Sequence, residues 1–264
     1  MRVSIVFTDL DGTLLDLDGQ ICPEAQAALL RLTRLGVPVC ALSSKTVAEL
    51  TPLLGQLGLS SPAGFENGAG ILFPGGSTQL FDRAVPAWVL RHIAEDIRSK
   101  TGAPLRTLWE LTDQELGELT GLPSSNLQAV RERLATAPLL VDEKWDQALI
   151  EALPSERGLT LIRGNRFLHL QGSHDKGTAV RRVLTVITRP PGPIAAFGDS
   201  PNDIPMLAAA DIRVVIASNR GPHPSLIKRF PAAAVARYPH GKGWAAAVAL
   251  LLDGKAEHEE RNPA

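Results

Sequence analysis

The stretch Phe7-Thr8-Asp9-Leu10-Asp11-Gly12-Thr13-Leu14 decides the fold, because two aspartates follow a short apolar run and precede a glycine. The run at residues 3–7 is rich in β-branched residues and predicts a buried strand of a parallel sheet. Ligands of such sheets bind beyond the carboxyl ends of the strands, where Asp9 and Asp11 are expected. Two buried carboxylates stay ionised beside a cation, and oxygen ligands suit Mg²⁺. We therefore predict metal-assisted phosphoryl chemistry, with an acidic turn that closes a strand as the structural alternative.

The composition excludes several classes of protein. The chain has 264 residues, of which 44% are hydrophobic, and this suits a globular protein of one large or two smaller domains. The formal net charge is −1 and no basic cluster stands out, so we expect no nucleic-acid partner. No segment reaches the ~20 apolar residues of a membrane helix, and the first residues lack the basic and apolar regions of a signal peptide, so we expect neither feature. Cys22 and Cys40 lack metal-ligand spacing and fit reduced thiols, so we expect a cytoplasmic protein.

Predicted strands and helices alternate at the start of the chain. Residues 23–35 and 47–57 are predicted helices, residues 37–42 are the second strand, and another strand and turn begin at residue 64. This order predicts an α/β fold with a doubly wound, Rossmann-like parallel sheet.

The pattern changes after residue 82. Helices are predicted at residues 87–100, 114–119 and 126–135, and strands at residues 138–141, 159–163 and 167–170. We interpret residues 83–171 as an inserted α/β cap domain for substrate specificity, between the two parts of a catalytic core at residues 1–82 and 172–264.

The core pattern then resumes. A helix is predicted at residues 175–188, and a strand at 194–197 runs into a second acidic loop, Gly198-Asp199-Ser200-Pro201-Asn202-Asp203. A helix through residue 210, a strand at 213–216 and a last helix at 244–252 complete the core. Residues 255–264 are polar and charged, and we expect them to be loose.

Four groups of polar residues follow predicted strands or begin helices: Asp9 with Asp11, Ser43, Lys176, and Asp199 with Asp203. Ser43 and nearby backbone N–H groups can bind phosphate oxygens, Lys176 can add a positive charge, and Asp199 can complete a metal site. Each has a plain alternative, because Ser43 could cap a helix and Asp175 could cap a helix that carries an exposed Lys176. Their combination favours a phosphatase over a purely structural arrangement.

With these motifs in this order, the chain resembles phosphatases of the haloacid dehalogenase superfamily that carry an α/β cap. The resemblance implies that Asp9 is the nucleophile that forms an aspartyl-phosphate, and that Asp11 protonates the leaving oxygen and then activates water. It also implies that Ser43 and Lys176 hold the phosphate. The implied Mg²⁺ ligands are Asp9, the backbone carbonyl of Asp11, and Asp199, with Asp203 beside or behind them.

Local variants narrow the resemblance. Ser43-Ser44-Lys45-Thr46 stands where many such sugar phosphatases have T-G-R, and with Glu66-Asn67-Gly68 it is similar to the mannosyl-3-phosphoglycerate phosphatase family. The segments Arg166-Phe167-Leu168-His169-Leu170 and Gly241-Lys242-Gly243-Trp244 are also similar to that family. The implied reaction yields mannosylglycerate, a compatible solute associated with heat or salt tolerance. The excess of arginine over lysine and the 20 prolines suggest a thermophilic source.

A substrate of this class carries a carboxylate as well as a phosphate, so a further cation is expected besides Lys176. Sugar hydroxyl groups need polar partners. The candidate substrate-binding residues are Ser44, Lys45, Glu66, Asn67, Arg163, Arg166 and His169. Structural alternatives stay open for four of these residues. The two arginines could lie on a solvated strand edge, His169 could be a core residue with its hydrogen bonds satisfied, and Asn67 could form a simple turn.

Three alternative functions stay open. The first is a broader hexose or sucrose phosphate phosphatase, and the second is a phosphohexomutase. The third is a sugar-phosphate binding protein, which has no chemical need for both Asp9 and Asp11. A zinc or serine hydrolase is disfavoured, since H-E-x-x-H and G-x-S-x-G are absent from the sequence. The expected partner is a small phosphorylated sugar or glycerate, and the sequence indicates no oligomeric state.

Overall fold

The structure is a computed structural model that describes residues 3–154, 158–164 and 166–253. The described chain divides into two compact units. One consists of Met1–Val39, Thr188–Asp199 and Ala210–Ala264 as far as these are described, and the other of Cys40–Ile187 and Ser200–Ala209. The expected loose segment at 255–264 lies outside the described residues. The unit boundaries differ from residues 82 and 172, so the division into core and cap stays a prediction.

The elements follow one another along the chain in mixed order. The strands are β1 (Ile5–Thr8), β2 (Val39–Ala41), β3 (Ala63–Phe65), β4 (Gly70–Leu72), β5 (Thr78–Leu80), β6 (Arg106–Thr107), β7 (Thr136–Leu140), β8 (Leu159–Arg163), β9 (Leu168–Gly172), β10 (Ile194–Gly198), β11 (Ile212–Ala217) and β12 (Ala234–Pro239). The α-helices are α1 (Pro23–Arg34), α2 (Val47–Gln56), α3 (Ala87–Thr101), α4 (Asp113–Thr120), α5 (Leu127–Arg131), α6 (Asp146–Glu151), α7 (Lys176–Val186), α8 (Ile204–Ala208), α9 (Pro224–Arg229) and α10 (His240–Asp253).

The first unit is built on a parallel sheet of the order β12-β11-β10-β1-β2. β1 pairs with β10, β10 with β11 and β11 with β12, all in parallel. β2 is the edge strand, and the division between the units falls within it. Ile5, Val6 and Phe7 have no exposed surface, as expected for a strand whose two faces are both covered. The predicted parallel α/β sheet is confirmed.

Trp244 of α10 fixes the end of β1. Its side chain is fully buried, and its ring centroid lies 5.5 Å from that of Phe197 in β10. The indole Nε1 donates a hydrogen bond to Oγ1 of Thr8 at 3.0 Å. A buried indole N–H needs such a partner, so this contact orders the residue directly before Asp9.

The second unit contains two antiparallel sheets, one ordered β3-β4-β5 and the other β6-β7-β9-β8. One face of the four-stranded sheet packs against α3. Alternate residues of β7 and β9 form this apolar face of the sheet. Residues of α3 that are spaced three or four apart pack against it. The buried residues are Leu90, Ile93, Ala94 and Ile97 of α3, with Ala137, Leu139, Leu168 and Leu170 of the strands.

The third predicted strand, β3, pairs antiparallel with β4, and its residue Gly64 also forms an isolated parallel bridge with Leu42. One expectation about this unit was wrong. The helix predicted at 126–135 ends at Arg131, because the amides of Leu134 and Ala135 donate to the carboxylate of Glu66 at 2.7 and 3.0 Å. A tertiary contact therefore overrides local helix propensity.

Several short elements had no recognisable sequence signal. β12 begins with alanine and ends with proline, both uncommon in strands, and α6 has only six residues, too few for a clear period. Among the described residues, no helix combines the length and apolar character that crossing a membrane requires.

Candidate active site

Asp9 lies directly after β1 with its backbone held on both sides. Its amide donates to the carbonyl of Phe197 at 3.0 Å, which continues the pairing with β10. Its own carbonyl accepts from Oγ1 of Thr8 at 2.7 Å. The residue is 6% exposed and is therefore largely removed from water. These are the conditions under which a carboxylate can be aimed at one bound group.

Asp199 follows β10, the strand beside β1, and is held by the loop after Asp9. Thr13 Oγ1 donates to Asp199 Oδ1 at 2.9 Å. Gly12 has φ +86°, and a Cβ atom there would lie only 2.7 Å from Oδ2 of Asp199. Glycine therefore satisfies both the backbone conformation and the close approach of the carboxylate.

The two aspartates of the first unit form an acidic pair. One carboxylate oxygen of Asp9 and one of Asp199 lie within 4.8 Å of each other. Asp9 is buried and Asp199 is half-buried, and two carboxylates at this distance repel each other unless a cation lies between them. Their hard oxygen atoms suit Mg²⁺, so the residues present fit the expected metal. Asp11 is half-buried and forms a backbone bridge with Leu15.

The second unit contains a buried ion pair. Lys176 has no exposed surface, and its Nζ lies 2.6 Å from Oδ1 of Asp203, which is equally buried. Asp203 Oδ2 also accepts the amide of Ser200 at 3.0 Å. Asp175 caps α7 by accepting the amide of Thr178 at 2.6 Å, but the alternative of an exposed Lys176 is wrong. Burying a lysine is costly without such a partner, which points to a role beyond helix formation.

Ser43 lies in the loop between β2 and α2. It is 1% exposed, its amide donates to the carbonyl of Gly64 at 3.0 Å, and its Oγ accepts the amide of Lys45 at 3.2 Å. The N-cap of α2 is Thr46, which forms a reciprocal pair of side-chain bonds with Glu49. The alternative in which Ser43 serves as the cap is therefore wrong.

Asn67 is the centre of a buried amide network in the second unit. Its Nδ2 donates to Oε1 of Gln171 at 3.0 Å, and its Oδ1 accepts from Nδ2 of Asn202 at 3.2 Å. Gln171 in turn donates to the carbonyl of His174 at 2.8 Å. The sequence analysis did not identify Gln171 or Asn202, although Gln171 lies two residues after His169 on the same face of β9.

The remaining substrate-binding candidates have different surroundings. The carboxylate of Glu66 accepts three hydrogen bonds, from the amides of Leu134 and Ala135 and from Thr136 Oγ1 at 2.7 Å. Arg163 forms an ion pair with Asp146. Arg166 is exposed, whereas Ser44 and Lys45 are half-buried. Their contact with substrate stays a prediction.

His169 is buried, with 5% of its surface exposed, and its Nδ1 has no hydrogen-bond partner within the described ranges. Burial, followed by the positive charges of Arg133, Lys176 and Arg163, lowers the pKa of His169 from 6.5 to about 3. The imidazole is therefore neutral near pH 7. A neutral ring in a positively charged region can accept a hydrogen bond, but it cannot supply a cation for a carboxylate.

This depressed pKa predicts a pH dependence of stability. Between pH 6.5 and about 3 the unfolded chain binds a proton at residue 169 that the folded chain does not, so stability falls as the pH decreases. From pH 7 to 5 we expect a loss of about 2 kcal/mol that His169→Gln removes. Urea unfolding at both pH values measures it, with the exposed His92→Gln as control. Equal losses in wild type and His169→Gln would contradict the assignment.

Comparisons with known proteins agree on one family. The sequence model of haloacid dehalogenase-like hydrolases matches residues 6–120 and 140–221. A glucosyl-3-phosphoglycerate/mannosyl-3-phosphoglycerate phosphatase of Persephonella marina is 30% identical over 263 residues, covering 94% of this chain and 97% of that protein. A protein of the same name from Methanococcoides burtonii is 33% identical over 241 residues, covering 84% of this chain and 88% of its own length.

A solved structure supports the fold. The Thermoplasma acidophilum protein 0175 superimposes with a TM-score of 0.72 at 19% identity, covering 95% of this chain and 99% of that chain. At this identity the likeness concerns the fold alone.

Proposed function

The chain belongs to the haloacid dehalogenase-like hydrolase family and is a phosphoric monoester hydrolase, and we propose that it hydrolyses mannosyl-3-phosphoglycerate with the help of Mg²⁺. The products are mannosylglycerate and inorganic phosphate. The nearly full-length similarity to two phosphatases named for this substrate supports the choice. Both names also include the glucosyl compound, so glucosyl-3-phosphoglycerate is the second candidate substrate.

The pair of Asp9, which is buried, and Asp199, which is half-buried, carries the chemical part of the proposal. Phosphate monoesters are anionic and react very slowly, so a catalyst must bring a negatively charged nucleophile to a negatively charged group. Mg²⁺ bound by Asp9, the backbone carbonyl of Asp11 and Asp199 would neutralise negative charge on the nucleophile and on the phosphate group. We propose Asp203 as a further member, since only three residues separate it from Asp199 in the sequence.

In the first step, a carboxylate oxygen of Asp9 attacks phosphorus and the bond between phosphorus and the glycerate oxygen breaks. Asp11 gives its proton to that leaving oxygen, which departs as the hydroxyl group of mannosylglycerate. The phosphoryl group is now an ester of Asp9. The fixed backbone of Asp9 favours this step, because the nucleophile is held before the substrate arrives.

In the second step, the Asp11 carboxylate takes a proton from water as the water oxygen attacks phosphorus. The bond between phosphorus and Asp9 breaks, which regenerates the Asp9 carboxylate and releases phosphate. Ser43 and Lys176 are proposed to hold the nonbridging oxygens in both steps. Lys176 already neutralises Asp203, so the buried pair can present fixed charges without reorganisation.

The region at 83–171 is proposed to serve as the cap that selects the sugar and excludes water. A role in compatible-solute synthesis is part of the same proposal and rests on the resemblance, whereas the proposed cytoplasmic location rests on the two cysteines, which fit reduced thiols.

Metal dependence tests the proposal. Because a bound cation supplies several kcal/mol of charge stabilisation, removing it with EDTA should lower phosphate release from mannosyl-3-phosphoglycerate by roughly 100-fold or more. As the matched control, the EDTA-treated sample receives an excess of Mg²⁺, which should restore the rate of phosphate release. Full activity after exhaustive dialysis against EDTA would remove Asp199 from its proposed role.

A further inference from the structure

All three carbonyl groups of the loop Ser43-Ser44-Lys45, here called the phosphate loop, accept hydrogen bonds from residues distant in sequence. The donors are, in order, the amide of Asn67, Nη1 of Arg133 and the amide of Glu66, each at 2.9 Å. In a trans peptide the N–H group points away from the preceding carbonyl, and the described residues contain no cis peptide. Holding these carbonyls therefore fixes the directions of the N–H groups that follow them.

Arg133 is the one side chain among these three donors, and it lies 89 residues from Ser44. Its Nη1 also donates to Thr136 Oγ1 at 3.1 Å, and Thr136 Oγ1 donates to Oε2 of Glu66 at 2.7 Å. The direction is unambiguous, because the guanidinium can only donate and the carboxylate can only accept. We call the series Arg133, Thr136, Glu66 the relay.

Burial makes the relay rigid. Thr136 and Glu66 have no exposed surface, and the Arg133 side chain is 6% exposed. Glu66 is held further by the amides of Leu134 and Ala135, so the segment that follows α5 is attached at several points. In such surroundings water cannot replace a lost partner, and a chain of hydrogen bonds moves as one.

We propose that Arg133, Thr136 and Glu66 are positioning residues that set the orientation of the phosphate loop for anion binding. The inference rests on the proposed function, in which Ser43 and the adjacent N–H groups hold the phosphate. In this proposal Glu66 positions the phosphate loop and does not contact a sugar hydroxyl group. The proposal also connects residues of the predicted cap with phosphate binding through contacts inside the second unit.

The direct test compares Thr136→Val with Thr136→Ser. Valine keeps the shape but removes the hydroxyl group that Arg133 and Glu66 share, whereas serine retains it. Calorimetric binding of inorganic phosphate in the presence of Mg²⁺ needs no turnover. We expect Thr136→Val to weaken phosphate binding about 10-fold and to lower kcat, while Thr136→Ser stays within about threefold of wild type.

Arg133→Met and Arg131→Met provide a matched pair. Arg131 also holds a distant carbonyl, that of Leu111 at 3.0 Å, and pairs with Asp113 at 2.7 Å, but neither partner belongs to the phosphate loop. Both variants should lower the Tm. Only Arg133→Met should weaken phosphate binding by about 10-fold or more, with Arg131→Met within about twofold of wild type.

The outcomes separate the two proposals. If folded Thr136→Val and Arg133→Met bind phosphate as wild type does, the relay has no positioning role, whatever the substrate. If wild type binds phosphate but releases none from any phosphate ester, the proposed function fails and the binding comparison still decides the relay. Loss of phosphate binding in Thr136→Val with recovery in Thr136→Ser is the expected result.

Discussion

Replacing Asp9 with asparagine is expected to lower turnover by about 10⁴-fold or more, the size of loss found when a member of a catalytic unit is removed. The amide has nearly the shape of the carboxylate but is no nucleophile at phosphorus. The fold should persist, because the bonds that position residue 9 through its backbone amide and carbonyl do not need the carboxylate. Phosphate release under saturating Mg²⁺ measures the effect.

Asp16→Asn is the matched control for this experiment. Asp16 lies in the same segment, and its carboxylate accepts the amides of Asp18 and Gln20 in a turn. We expect its turnover to stay within about threefold of wild type, as for a surface substitution away from the chemistry. Mass analysis of acid-quenched wild type should find a phosphoryl group on the peptide that contains Asp9. Substantial turnover by Asp9→Asn would overturn its assignment as nucleophile.

Replacing Lys176 with methionine should destabilise the protein by about 3–5 kcal/mol, because it leaves the buried carboxylate of Asp203 without the ammonium at 2.6 Å. Phosphate release should also fall, since the proposed anion site loses its positive charge. Arg98→Met removes an ion pair of similar length, 2.7 Å to Glu110, at a site about one third exposed. Its cost should be about 0–1 kcal/mol.

A double variant separates stability from catalysis at this pair. Lys176→Met with Asp203→Asn removes both charges of this ion pair, so much of the stability lost in Lys176→Met should return. Activity should not return, because neither charged group is restored. Urea unfolding and phosphate release on the same samples give both quantities. A Lys176→Met protein as stable as wild type would contradict the importance of the buried pair.

The local pattern at residues 3–14, with the alternation of strands and helices that follows it, was enough to predict the parallel sheet and the place of Asp9 at a strand end. This succeeds because a short apolar run, two aspartates and a glycine are each strong local signals. The position of Asp199 at a strand end was predicted in the same way, and it follows β10, which pairs with β1 in the sheet. The sequence could not show that Thr13 and Gly12 hold its carboxylate, since those contacts span more than 180 residues.

The errors have a common physical cause in long-range contacts. The segment after Arg131 has helical composition, yet its amides bind Glu66, which precedes it by almost 70 residues. Glu66 is a candidate sugar partner in the sequence, and that role stays a prediction. Its buried contacts with residues 134–136 could not be recognised in the sequence because they are long-range. Arg133 was overlooked for the same reason, as its partners Ser44 and Thr136 lie on different elements. The thermophilic source and the residue-by-residue substrate contacts stay predictions.

The measurement that tests the central claim most directly is kcat/KM for phosphate release with Mg²⁺ across a panel of substrates. The panel contains mannosyl-3-phosphoglycerate, glucosyl-3-phosphoglycerate, mannose 6-phosphate, sucrose 6-phosphate and 3-phosphoglycerate. The account predicts that the glycosylated phosphoglycerates are preferred by about 100-fold or more, since a site built for several polar groups penalises substrates that lack them. Comparable values for the simple sugar phosphates, or no phosphate release from any compound, would contradict it.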